Sequence, residues 1–178
     1  MTKEEIKEEF VSMYKQYVKR SGAALLLNHL LYHGFFEAPA STRYHGCYEG
    51  GLAEHSLHVM KRLMAKEEVT SRYSKETIVI VGLLHDVCKM DNYKKKKDRY
   101  EYAPDFPAGH GEKSVMMIQK HIPLTDEEIL AIRWHMGAWD DAVRGGCRDI
   151  NNAYRKSKLA VWLHLADMEA TYIDEAEE

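Results

Sequence analysis

Long apolar runs are missing from this sequence, and so is a strong excess of charge of one sign. No apolar segment approaches the roughly 20 residues that a membrane-spanning helix requires. The charged start, from Met1 to Glu5, predicts no secretion signal. A formal net charge of -3 at pH 7 gives no overall attraction to nucleic acid or to an anionic membrane. We therefore expect no membrane association, and the sequence carries no clear signature of nucleic-acid binding.

Cysteine is also scarce, and its distribution is informative. The three cysteines, Cys47, Cys88 and Cys147, are odd in number, far apart and without the spacing of a metal site. They predict reduced thiols in a cytoplasmic protein. Against this background the 10 histidines stand out. A hydrophobic fraction of 45% in 178 residues suits one soluble globular domain.

Helical periodicity recurs along nearly the whole chain, whereas strand signals are almost absent. Apolar residues recur every three or four positions over 3–20, and Ala23 to Tyr32 reads as a buried helix. Further helices are predicted from about residue 51, over 78–90, 109–122 and 126–135, and over about 150–173, with an irregular segment at 34–51, a loop at 91–108 and a frayed acidic tail at 174–178. The prediction is an all-α fold in one domain, residues 1–178, with helices of residues 1–33 packing on a core of about 50–170.

The apolar run from Ile78 to Leu84 allows two interpretations. Its composition also suits a buried strand. Apolar residues continue past His85 and Asp86 to Met90, however, which exceeds the usual length of a strand. We therefore predict a helix that carries His85 and Asp86 in its apolar interior.

Other polar residues also occupy apolar stretches of predicted helices. His55, His135 and Asp167 lie on apolar helix faces, as His85 and Asp86 do. A buried carboxylate is costly unless it is paired or bound to a metal. One divalent cation would satisfy all five, because imidazole and carboxylate suit iron, manganese, nickel, cobalt and zinc. A hydrogen-bonded core residue is the alternative for any one of them, but it explains the joint pattern less well.

Three segments carry a resemblance to a known family. Residues 52–57, 83–89 and 165–167 resemble the motifs of the HD superfamily of metal-dependent phosphohydrolases, which have the order His, His-Asp, Asp. The resemblance covers about residues 50–170. It implies an all-helical bundle with the metal site between helices, in which His55, His85, Asp86 and Asp167 hold the first metal.

Two further segments resemble the additional histidine motifs of HD members that bind two metals. They are residues 109–114 and 133–137. By this resemblance Asp86 bridges two divalent transition-metal ions, and His110 and His135 hold the second. Alternatively, His110 caps a helix or contacts a substrate phosphate.

Lys89 and the basic segment after it are candidates for substrate binding. Lys89 follows His85 by four residues, so on a helix it projects from nearly the same face. We expect it to offset charge on a phosphate oxygen, and many HD members have a lysine here. It is otherwise a helix-end charge. The loop containing Lys94 and Arg99 either grips nucleotide phosphates or is simply solvated.

These features predict a metal-dependent phosphohydrolase. Its substrate is expected to be a nucleotide or another small phosphate ester, attacked by a metal-activated water, with Asp86 and Lys89 in catalytic roles. A di-iron oxygenase of the HD fold would use the same six ligands, so the ligands alone do not separate these activities. A non-catalytic metal- and nucleotide-binding module is the third hypothesis, although its expected signature, a broken ligand set, is absent. The oligomeric state does not follow from the sequence.

Overall fold

Helices dominate the structure, a computed structural model that describes residues 1–176, and they confirm the predicted all-α class. The α-helices are α1 (Lys3–Tyr17), α2 (Ala23–Tyr32), α3 (Gly51–Met64), α4 (Glu67–Thr70), α5 (Lys75–Leu84), α6 (Lys89–Asn92), α7 (His110–Gln119), α8 (Asp126–Trp134), α9 (Asp141–Arg144), α10 (Asp149–Lys156) and α11 (Lys158–Glu169). A 3₁₀ turn (Gly137–Trp139), a π-helical turn (Ala170–Asp174) and two strands, β1 (Tyr93–Lys96) and β2 (Arg99–Tyr102), complete them. Over residues 1–176, no helix combines the length and the apolar character needed to cross a membrane.

The core lies between α3, α5, α8 and α11. α3 packs on α5 and α11, and α8 packs on α5, α7 and α11. α1 lies across α3 and α5. One cluster of buried apolar side chains extends from Ile6 to Ala170. Because α1 and α2 contribute to the same cluster as the later helices, we propose that the chain folds as a single domain.

Two glycines permit close contacts between these helices. A Cβ atom on Gly82 of α5 would lie 2.7 Å from the Cα atom of Met60 in α3. A Cβ atom on Gly111 of α7 would lie 2.2 Å from the carbonyl oxygen of Arg133 in α8. Any larger residue would push these helices apart. The second contact holds the beginning of α7 against the end of α8.

A buried ion pair connects the N-terminal part of the chain to α8. Glu128 is fully buried, and its two carboxylate oxygens each accept a hydrogen bond of 2.6 Å from the Arg20 guanidinium. Glu128 also completes the capping box that the sequence predicts at Thr125. One carboxylate therefore closes the start of α8 and fixes the connection between α1 and α2.

The segment predicted as a loop at 91–108 contains a β-hairpin, so that prediction was wrong in part. β1 and β2 pair antiparallel, with Tyr93 opposite Tyr102 and Lys96 opposite Arg99. Lys96 and Arg99 both contact Glu101, which offsets their mutual repulsion. Each strand has only four residues, and three of those in β1 are lysines. Tyr100 and Tyr102 alternate with charged residues in β2, but over too few positions to indicate a strand.

Two predicted helices are interrupted. The helix expected over 78–90 ends at Leu84, and His85 to Cys88 form turns that lead into α6. The helix expected over about 150–173 breaks at Ser157, where the backbone is extended and the side chain accepts a hydrogen bond from the Ala160 amide. Ser157 thereby ends α10 and caps α11. The break sets the direction of the helix that carries Asp167.

Candidate metal centre

The six residues selected as metal ligands come together between the core helices. They are His55 on α3, His85 and Asp86 in the turn after α5, His110 at the start of α7, His135 directly after α8, and Asp167 on α11. His55, His85, Asp86 and His135 are at most 2% exposed. Such burial requires that their polar atoms find partners within the protein or bind an ion.

Asp86 occupies the middle of the cluster. Its Oδ1 atom lies 3.2 Å from His135 Nε2 and contacts His110 Nε2. Its Oδ2 atom lies 3.5 Å from His85 Nε2 and contacts the Lys89 ammonium. The two oxygens of one carboxylate therefore face different histidines. Asp86 belongs to two neighbouring groups of donor atoms, one with His85 and His135 and one that includes His110.

The histidine rings are oriented with one nitrogen toward the centre. His85 Nδ1 donates a hydrogen bond of 3.0 Å to the Gly82 carbonyl, and His135 Nδ1 donates one of 2.7 Å to the Ile132 carbonyl. A carbonyl only accepts, so Nδ1 carries a proton, and in the neutral ring the lone pair is then on Nε2. The inward Nε2 atoms of His55, His85 and His135 are buried and have no hydrogen-bond partner among residues 1–176.

These orphaned nitrogens fit a divalent metal. A buried polar atom without a partner costs roughly 1–3 kcal/mol, and three of them occur here in one place. A metal ion accepts lone pairs from imidazole nitrogen and carboxylate oxygen, and the outer nitrogen of such a histidine usually donates to a carbonyl or a carboxylate. The described residues therefore have the donor types and the ring orientations that such an ion requires.

The two ring nitrogens of His55 face different carboxylates. Its Nε2 atom lies 3.1 Å from Asp167 Oδ1, without the alignment of a hydrogen bond, and 3.8 Å from Asp86 Oδ2. Its Nδ1 atom lies 3.1 and 3.2 Å from the two oxygens of Glu175. Glu175 also accepts a 2.8 Å hydrogen bond from His58 Nδ1. The carboxylate of Glu175 thus lies behind His55, on the side away from Asp167.

The position of Glu175 corrects the predicted frayed tail. Residues 174 and 175 are anchored, since Asp174 contacts Arg62 and Glu175 contacts His55 and His58; the last two residues of that tail lie outside the described range. Sequence analysis missed Glu175 because no motif surrounds it. The only signal was the pair of histidines one turn apart on α3, which present two nitrogens on the same side of the helix.

Two more side chains near the site were not selected. The Cys88 Sγ atom lies 3.5 Å from His110 Nδ1. The His45 ring lies 4.7 Å from the His55 ring, and its Nε2 atom is buried with no hydrogen-bond partner among the described residues. Glu49, which precedes α3, is paired with Lys3 on the surface.

Positive groups and carboxylates alternate across the site. Burial raises the pKa of Asp86 and of Asp167, but the neighbouring positive groups and hydrogen bonds, led by Lys89 at Asp86 and by His55 at Asp167, together outweigh burial and hold both pKa values well below normal. Burial lowers the pKa of His85 to about 3, which keeps its imidazole neutral. Burial lowers the pKa of His110, but Cys88 and Asp86 both raise it and together outweigh burial, so the pKa is about 10. The carboxylates are thus ionised, as metal ligands must be.

Lys89 is buried and paired with Asp86. Its side chain is 9% exposed, and its ammonium contacts the Oδ2 atom of Asp86. Burial lowers the pKa of Lys89, but Asp86, with smaller contributions from Tyr93 and Asp167, outweighs burial, so the pKa is raised. An exposed helix-end charge, the alternative considered from the sequence, does not describe this position. The ammonium stands at the proposed metal ligand itself.

The basic residues of the hairpin are not brought to the site in the same way. Lys94 lies 2.7 Å from Asp105, and Arg99 lies 2.6 Å from Glu101. Neither lines the cleft that opens beside His110. That cleft is lined by Asn92, Tyr102, Ala108, Gly109, His110, Glu112, Met136, Trp139, Asp140, Asp141 and Ala142. Tyr102 and Trp139 are 61% and 50% exposed, so two aromatic side chains border an opening next to a candidate ligand.

Comparison with known proteins gives one family and one relative. The chain is 39% identical over 67 residues to dihydroneopterin 2',3'-cyclic phosphate phosphodiesterase of Methanocaldococcus jannaschii. The match covers 35% of this chain and 27% of that protein, so the chain spans about a quarter of the relative's length. No solved structure matches. The family model described as HD domain matches residues 52–172, which is more than half of the chain and includes all six candidate ligands. The chain therefore belongs to the HD domain family, as its motifs indicated.

Proposed function

We propose that this protein is a metal-dependent phosphohydrolase whose ion is held by His55, His85, Asp86 and Asp167. The observation that carries the proposal is the convergence of three buried, unpartnered Nε2 atoms on two ionised carboxylates. Hydrogen-bonded core histidines would have partners for both ring nitrogens. Membership of the HD domain family supports the same chemistry.

We further propose a second ion, held by Asp86, His110 and His135. Asp86 supports it, because its two oxygens face different histidines. The separate donor groups around His55 and around His110 also favour two positions over one. The metal is expected to be a divalent transition ion, since imidazole and carboxylate suit iron, manganese, nickel, cobalt and zinc.

The residues around the ions have distinct tasks in this proposal. When bound, divalent ions polarise phosphoryl oxygens and lower the pKa of a water molecule toward neutrality. Asp86 would be a ligand of both ions. Lys89 has three donor hydrogens, of which one is engaged by Asp86. The others are available to a phosphate oxygen, whose charge grows in the transition state.

The substrate is proposed to be a small phosphate ester or diester that carries a planar ring. The cleft beside His110 is bordered by Tyr102 and Trp139, and exposed aromatic side chains bind planar rings by stacking. The relative in Methanocaldococcus jannaschii is named for a cyclic phosphate of a pterin. Nucleotides and cyclic phosphodiesters are therefore the first compounds to test. Lys94 and Arg99 remain candidates for contacts with the outer part of such a substrate.

The test is a metal-reconstituted activity screen. Protein purified without oxygen is analysed for metal, stripped with a chelator, reloaded with each candidate ion and assayed against nucleotides and cyclic phosphodiesters. We expect phosphate ester cleavage that is as fast without oxygen as with it. Turnover that requires oxygen would favour the di-iron oxygenase instead. Metal binding without turnover of any compound would favour the binding module.

A further inference from the structure

A short connection after α11 brings a carboxylate back to α3. Ala170–Asp174 form a π-helical turn, closed by a 3.0 Å hydrogen bond from the Glu175 amide to the Ala170 carbonyl. Such turns are wider than an α-helical turn and occur frequently at functional sites. This turn places Glu175 next to His55, which is 120 residues away in the sequence.

The surroundings of Glu175 are those of a group with a specific partner. Its side chain is 8% exposed, and it accepts hydrogen bonds from His55 Nδ1 at 3.1 Å and from His58 Nδ1 at 2.8 Å. Neighbouring ion pairs fasten the same stretch of chain, since Asp174 pairs with Arg62 of α3 and Glu169 pairs with Lys66, which follows α3. Because these two pairs already tie the stretch down, Glu175 is not needed merely to anchor it.

We propose that Glu175 is a positioning residue that holds His55 ready to bind metal through Nε2. A carboxylate that accepts the Nδ1 proton fixes the tautomer and the ring angle, and it makes the opposite nitrogen a better donor. At His85 and His135, the backbone carbonyls of Gly82 and Ile132 accept the Nδ1 proton in the same way. His55 has no such carbonyl among its hydrogen bonds in residues 1–176, and Glu175 supplies the missing acceptor.

The inference rests on the proposed metal site and extends it. Glu175 lies beyond residue 172, where the match to the family model ends, so the family resemblance alone does not point to it. The matched control is Asp174, which precedes Glu175 and pairs with Arg62 without touching a candidate ligand. A purely structural role would make the two carboxylates equivalent, whereas a positioning role would not.

The experiment compares Zn²⁺ affinity in E175A, E175Q and D174N by competition with a chelating dye. We expect E175A to lose roughly 10- to 100-fold in affinity and E175Q to lose less, because its amide oxygen still accepts the Nδ1 proton. D174N should bind within about twofold of the wild type. Unchanged affinity in E175A, or an equal loss in D174N, would overturn the proposal.

A second readout does not depend on activity. Nitrogen-15 NMR of the histidine rings in chelator-treated wild-type protein should show His55 protonated at Nδ1. In E175A, that ring should lose this fixed state. After Zn²⁺ is added, His55 should bind through Nε2, and binding through Nδ1 would contradict the positioning role. If these results hold and no phosphate ester is cleaved, the proposed function fails while the role of Glu175 stands.

Discussion

At the scale of single residues, Lys89 and a bound metal ion would compete for the Asp86 carboxylate. Its ammonium occupies the Oδ2 atom of Asp86, an atom that the proposed metal site also uses. Removing the positive partner of a buried carboxylate is costly unless another positive charge takes its place. Lys89 is thus a counter-ion to Asp86, and in the proposed reaction it is also a donor to the substrate phosphate.

Replacing Lys89 separates these two tasks. We expect K89A to lower kcat roughly 100- to 1000-fold, comparable to the loss of one donor to a transition-state charge. Metal content should not fall, because Asp86 loses a competing cation. The measurement is single-substrate kinetics combined with metal analysis, with K95A as the control, since Lys95 pairs with Glu49 on the surface. Equal turnover by K89A and wild type would remove Lys89 from the mechanism.

At the scale of elements, the contact between α7 and α8 determines where His110 lies relative to His135. Gly111 follows His110 directly, and a Cβ atom there would meet the Arg133 carbonyl at 2.2 Å. The backbone cannot yield without moving α7. His110 is therefore positioned by the absence of a side chain on its neighbour.

We expect G111A to lose the second ion in preference to the first. Overpacking of this kind costs roughly 1–3 kcal/mol of stability, and the displacement of α7 would carry His110 away from Asp86. The metal content measured for G111A should fall from near two ions per chain toward one. The control is G145A, where the added Cβ atom would meet the Asp141 carbonyl at 3.2 Å, a milder contact at a glycine that does not adjoin a candidate ligand. Two ions retained in G111A would contradict this account of the site.

The ion pair between Arg20 and Glu128 gives a prediction about acid stability. Burial raises the pKa of Glu128, but the hydrogen bonds from Arg20, Thr125 and Thr77 together with the charge of Arg20 outweigh burial and lower the pKa below 4.5. A carboxylate with a lowered pKa stabilises the fold fully above its unfolded pKa and loses that contribution as the pH falls through the folded value. The pair therefore stabilises the protein at neutral pH and weakens below about pH 4.5.

We expect E128Q to unfold more easily at pH 7 by about 1.5–3 kcal/mol, the usual contribution of hydrogen bonds to a charged group. Below about pH 4.5 the gap between E128Q and wild type should narrow. Chemical denaturation at several pH values measures both effects. A gap that stays constant down to pH 3 would show that charge on Glu128 is not its source.

At the scale of the whole molecule, the proposed ligands come from helices distant in sequence. α3, α7 and α11 each contribute one, the residue directly after α8 is another, and the turn after α5 contributes two. An ion bound there links helices that otherwise adhere through apolar contacts. Metal binding and folding should therefore be coupled.

We expect added metal to raise the melting temperature. At an ion concentration 100 times Kd, binding adds about 2.7 kcal/mol, which corresponds to roughly 5–10 °C for a chain of this size. Thermal melts of chelator-treated protein with and without Zn²⁺ measure the shift. H85A should show little of it, while H121A, which changes a histidine outside the cluster, should respond like the wild type. An equal shift in H85A would place the ion elsewhere.

The sequence by itself determined the helical class, the family and the types of residue that converge. Periodicity is a local property, so His55, His85, Asp86, His135 and Asp167 could be identified from the apolar surroundings of each. His110 depended on the family motif, because no apolar pattern surrounds it.

Only the tertiary structure decided how those residues meet and what stands behind them. Glu175 reaches His55 across 120 residues through a π-helical turn, and that contact leaves no periodic trace in the sequence. Lys89 follows Asp86 by three residues, a spacing at which side chains also meet on a helix, but its burial beside that carboxylate depends on the tertiary packing. Where helices end and how closely they pack follow from contacts between segments that are far apart in the chain.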